Sequence, residues 1–152
     1  MRFSPNSSSV QNNPSYWWKE ADACFTMVRM LLDKDSMPAR QTVCDKCHGM
    51  LERAAKAILA EKGILTDDKS HNIRRLLMQS GEFDRLSLYQ KGFISEISNL
   101  HVVATYPDEV KEARIWYDDE SYQAIVLNCL AIYRELVKRK GSYGQGGSNE
   151  GN

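Results

Sequence analysis

Residues 43–81, VCDKCHGMLERAAKAILAEKGILTDDKSHNIRRLLMQSG, decide how this chain folds. Cys44, Cys47, Leu51, Ala54 and Ile58 follow one another at steps of three and four, the spacing that lines one stripe of an α-helix. Ala54, Ala55 and Ala57 would let a neighbouring helix approach closely, while Glu52, Arg53, Lys56, Glu61 and Lys62 supply polar positions. Gly63 is placed to end the helix as a left-handed cap. A second, shorter helix restarts at Ser70-His71, turns Ile73, Leu76 and Leu77 inward and closes at Gly81.

Working outward, Trp17, Ala21, Cys24, Val28 and Leu31 repeat at steps of four and three, with Trp18, Phe25 and Leu32 beside them. This predicts a first helix capped by Ser15, with an apolar face wide enough to touch a second partner. Ser36 with Pro38 opens the second helix, because proline is tolerated in a first turn, where its missing N–H is not required. Leu86, Gln90, Phe93, Ile97 and Leu100 predict a further helix ending near Ala104, ahead of Pro107. Residues 107–117 read as a charged connection. Tyr122, Ile125, Val126, Cys129, Tyr133 and Leu136 give the buried face of the last helix, begun at Asp118 or Asp119 and ending in Lys138-Arg139-Lys140.

The expected fold is all-α, an antiparallel up-and-down bundle of four long helices plus one short helix over residues 15–140. A flexible Ser/Asn/Pro tail precedes it at 1–14, and a Gly-rich tail with five of the nine glycines follows at 141–152.

Twenty basic and twenty acidic side chains cancel, so no global field draws the chain to nucleic acid or an anionic membrane. The longest apolar run, 124–133, contains Asn128 and is far shorter than the roughly 20 residues that cross a bilayer. With no secretory core near Met1, a cytoplasmic address is expected. Cys44-Asp45-Lys46-Cys47-His48 has the spacing of covalent haem attachment or half a zinc site. Both cysteines fall within the apolar stripe, so they read as buried hydrophobes, and neither metal nor cofactor is expected.

Cys47-His48, Glu52, Lys56-Ala57, Lys62-Gly63, His71, Leu76-Leu77 and Tyr106-Pro107-Asp108, in this order and spacing, resemble the HEPN family of small helical-bundle proteins over residues 16–140. The resemblance implies the same bundle, and a homodimer is expected. It also implies an ATP-like nucleotide, or a nucleotidyltransferase-type protein as partner, in a toxin–antitoxin-type pair. HEPN ribonucleases carry an arginine followed, after four to six residues, by a histidine. The positions that would hold it before His48, His71 and His101 read Gln41-Thr42-Val43, Ile64-Leu65-Thr66 and Ile94-Ser95-Glu96. No catalytic residue is therefore assigned, and RNA cleavage survives only through a composite site.

Glu52 and Lys56 stand four apart, acid first, which suits a solvated ion pair. The family reading instead sets Lys56 on a phosphate, oriented by Glu52. His71 at a helix start, with Lys69, Arg74 and Arg75, would complete a nucleotide-binding corner, and Tyr106 would flank it, although Thr105 stands where relatives commonly carry arginine. A different class of function, dimerisation or docking without a ligand, would use the face of Trp17, Trp18 and Phe25.

Overall fold

The computed structural model of the protein describes residues 13–65, 71–105 and 119–143. All regular structure among them is helical: α1 (Pro14–Leu31), α2 (Met37–Glu61), α3 (Ile73–Ser80), a 3-10 turn (Phe83–Arg85), α4 (Leu88–Thr105) and α5 (Asp119–Lys138). The expected connection at 107–117, the Tyr106 segment, Lys69 and most of both tails lie outside the described residues.

Local chemistry explains the boundaries, and corrects two of them. The cap of α1 is Asn13, whose side chain accepts from the Tyr16 N–H at 3.3 Å, and not Ser15. Pro14 at the first position has no N–H to satisfy, so the helix starts inside the segment read as a tail. Ser36 caps α2 as expected, accepting from the Ala39 N–H. Gly63 (φ 74°) ends it, with the Ile64 N–H reaching back to the Leu59 carbonyl. α4 begins at Leu88, two residues later than expected, because Ser87 and Gln90 exchange bonds: the Gln90 N–H donates to Ser87 Oγ at 3.1 Å and the Ser87 N–H to Gln90 Oε1 at 3.0 Å. This reciprocal cap takes Gln90 out of the apolar face, where Ile94 and Ile97 do the packing.

Gly81 closes α3 at φ 82° with the Glu82 N–H on the Leu77 carbonyl. Gly81→Ala should destabilise by roughly 1–2 kcal/mol, because a Cβ disfavours the left-handed region. Gly92, inside α4 with nothing within 4 Å of an added Cβ, should behave oppositely, Gly92→Ala stabilising by roughly 0.5–1 kcal/mol. Urea denaturation of the pair checks both signs.

α2 is the central element, packed against α1, α3, α4 and α5. α1 and α2 run antiparallel, with Trp17 near Lys56 and Cys24 near Gly49. α2 and α5 run parallel: Arg40 meets Asp119 at their starts, and the Gly141 N–H meets Glu61 at their ends. The close approach of α1 and α2 is made at Gly49, where an added Cβ would stand 3.2 Å from Cys24 Sγ.

The chain beyond α5 is also tied down as far as Tyr143. Tyr143 Oη donates to buried Glu82 at 2.8 Å, Arg139 Nε lies 2.9 Å from the other Glu82 oxygen, and Lys62 Nζ sits 4.3 Å from the Tyr143 ring centre. No described helix is long and apolar enough to cross a membrane.

Candidate functional site

His48, Glu52 and Lys56 repeat every four residues along α2 and so share a face. That face is turned inward. Lys56 is 1% exposed and Glu52 5%, and His48 is buried with them. The solvated ion pair is thus corrected: four other helices pack on α2, and Glu52 and Lys56 are enclosed with its apolar stripe, while Arg53 stays partly exposed.

The enclosed charges are matched. Lys56 Nζ donates to Glu52 Oε2 at 3.1 Å, and its ammonium lies 5.0 Å from the centre of the Trp17 ring on α1, within cation–π range. His48 Nδ1 is 3.6 Å from Glu52 Oε1, too long for a hydrogen bond. His71, just before α3, places Nδ1 3.0 Å from Glu52 Oε2. Burial pushes the Glu52 carboxyl up, but the Lys56 charge, with hydrogen bonds from Lys56 and His71, outweighs it and holds the carboxyl below its ordinary range. An ionised carboxylate only accepts, so the contact requires the proton of His71 on Nδ1.

The sign of the resulting pH dependence follows. A carboxyl whose folded value is depressed adds stability that is present above its unfolded value near 4.5 and is lost as pH falls through the folded value. The Tm of the wild type should therefore fall more steeply than that of Glu52→Gln between about pH 5 and about pH 3. Parallel melting curves for the two proteins would refute this.

Four of the five residues predicted for the nucleotide corner are among the described residues, and only two of them reach the surface. The His71 side chain is 56% exposed, and Arg75, on the first turn of α3, is exposed. His71 precedes the helix instead of starting it, since the cap is Asn72, whose side chain accepts from the Arg75 N–H at 3.0 Å. Glu52 and Lys56 lie beneath, and Lys56 cannot touch a phosphate from its enclosed position. Tyr106 is not among the described residues. Trp17 and Trp18 are buried in the chain's own core, and Phe25 is half-buried against Tyr133 at 5.4 Å between ring centres, so the wide face of α1 is largely used within the chain.

Cys44, Cys47 and Cys129 are fully buried, and burial pushes the Cys44 and Cys129 thiols up, keeping them protonated. No group of His, Cys, Asp and Glu among the described residues could hold a metal ion.

Two buried acids escaped the sequence reading. Glu61 at the end of α2 accepts from the Trp18 indole N–H at 2.7 Å, and Glu82 receives Arg139 and Tyr143. Periodicity carries no signal for either, since their partners come from distant parts of the chain. A family model described as HEPN domain matches residues 14–140. No curated protein and no solved structure matches the chain.

Proposed function

The chain belongs to the HEPN domain family, and from that premise we propose that it binds the phosphates of an ATP-like nucleotide at the surface made by His71 and Arg75. A nucleotidyltransferase-type protein is the partner this reading supplies, in a toxin–antitoxin-type pair, and it rests on the family alone. One observation carries the nucleotide reading: an ionised, buried Glu52 holds an otherwise exposed imidazole at 3.0 Å, four residues before an exposed guanidinium. A histidine whose ring is fixed through Nδ1 by a buried carboxylate is held in one orientation, and in its protonated form it donates to an anion through Nε2. Lys56 then acts from beneath, neutralising Glu52 and setting its orientation.

Isothermal titration of ATP, GTP and a dinucleotide tests this against His71→Ala and Arg75→Ala. Saturable binding that weakens at least tenfold in each variant, and falls with added salt, is the expected result. Absence of heat with every nucleotide, from protein with a normal melting curve, would remove the reading.

Docking through a second copy or a partner has its own support. Leu88 is 87% exposed beside exposed Tyr89, and Asn128 Nδ2 on α5 donates to Tyr89 Oη at 3.4 Å. An exposed apolar group of this kind at the start of α4 favours association. It moves the docking face away from Trp17, Trp18 and Phe25. Sedimentation of Leu88→Glu should give a lighter particle than the wild type if a homodimer uses this face.

A further inference from the structure

The last turn of α2, the first turns of α1 and the end of α5 enclose a cleft of about 720 Å³, within the range of small-molecule sites. Glu61 lines it, 9% exposed. Its Oε2 is saturated, accepting from the Trp18 indole N–H at 2.7 Å and the Gly141 N–H at 2.9 Å. Its Oε1 is buried with no hydrogen-bond partner. A carboxylate oxygen held in place by two donors on its twin, and itself lacking a donor, is incomplete until something brings one.

The other walls say what accompanies that donor. Trp18 and Tyr133 supply aromatic surface, Lys19 and Lys140 supply cations, and Asp22 a second acid. Lys140 Nζ is 5.8 Å from the Trp18 ring centre, on the same rim. Two acids and two lysines leave the lining without net charge, so an ion of a single sign gains little from it. A molecule carrying both signs can satisfy both.

We propose that this cleft binds a small zwitterion in which a primary ammonium and a carboxylate are joined to an aromatic or apolar body, the chemistry of an aromatic amino acid. The ammonium pairs with the Glu61 carboxylate, the body lies against Trp18 and Tyr133, and the carboxylate faces Lys19 and Lys140. Glu61 stands nine residues beyond Glu52, about 13 Å along α2, so this site is separate from the surface of His71 and Arg75 and does not depend on the nucleotide reading.

The test is isothermal titration of the full chain with L-phenylalanine, 2-phenylethylamine and 3-phenylpropionate, with the indole N–H resonance of Trp18, assigned through Trp18→Phe, as a second readout. L-phenylalanine should bind saturably and shift that resonance. 2-Phenylethylamine should bind more weakly, and 3-phenylpropionate should not compete. Glu61→Gln keeps an acceptor for the Trp18 and Gly141 donors while removing the charge, and should weaken L-phenylalanine at least tenfold. Lys140→Gln changes an exposed side chain, and should weaken L-phenylalanine while leaving 2-phenylethylamine unchanged, a split that stands even if Glu61→Gln fails to fold. No saturable binding of L-phenylalanine to folded wild type, or equal affinity in both variants and the wild type, overturns the proposal.

Discussion

Glu52→Ala is expected to lower the free energy of unfolding by about 3–5 kcal/mol, the loss typical of breaking a buried ion pair from one side. For a chain of 152 residues this corresponds to a fall in Tm on the order of 10 °C. The cause is Lys56. Its ammonium is enclosed at 1% exposure, and the Glu52 carboxylate 3.1 Å away is what neutralises it. Alanine removes the neutralising charge and leaves the desolvation of the ammonium in place. The same substitution releases His71, which uses Glu52 Oε2 as its anchor. Replacing both members by apolar residues, Glu52→Leu with Lys56→Met, removes the charge and the demand for it together, and should recover most of the loss. Urea denaturation of the singles and the double measures this directly. A loss below about 1 kcal/mol in Glu52→Ala would mean that water reaches Lys56, in which case the enclosed ion pair is not the organising feature of α2.

Trp17→Ala should be nearly as costly, about 3–5 kcal/mol, since it empties the space of a buried indole between α1 and α2. Trp17→Phe keeps an aromatic face over Lys56 and should cost about 1–3 kcal/mol through shape change. The two large effects are coupled. With the indole gone, solvent gains a route to Lys56, so Glu52→Ala should cost at least about 0.5 kcal/mol less in the Trp17→Ala background than in the wild type. Additive losses in that cycle would show that Trp17 fills volume without sealing the charge pair from water.

These expectations depend on contacts that periodicity does not encode. The spacing of Cys44, Cys47, Leu51, Ala54 and Ile58 predicts a helix and its buried stripe, and all five are fully buried. The same spacing places Glu52 and Lys56 on the helix surface, where they would be solvated. A period of 3.6 describes one helix against one average environment, and α2 has four neighbours, so its polar side is covered too. The adjacent Trp17 and Trp18 read as surplus apolar width. In the fold they cover two different buried charges, Trp17 over Lys56 by its ring face and Trp18 on Glu61 by its N–H.

Two helix starts are legible in local sequence chemistry alone. Asn13-Pro14 is a helix start with a mechanism, and Ser87-Leu88-Tyr89-Gln90 is a capping box in plain sequence. Apolar spacing marks the helix body better than its ends, which these local signals define. Glu61 and Glu82 offered no comparable sign.

By itself, the sequence determined the helical class, the order of its helices, the glycine stops at Gly63 and Gly81, and the family, because these depend on neighbours within a few residues or on the order of motifs along the chain. The tertiary structure alone decided which charges are enclosed and which face solvent. Desolvation is set by what arrives from elsewhere: α1 over Lys56, the segment before α3 onto Glu52, and the turn after α5 onto Glu61. His71 and Arg75 stay at the surface while Lys56 does not, a division of roles that one helix, read in isolation, has no means of expressing.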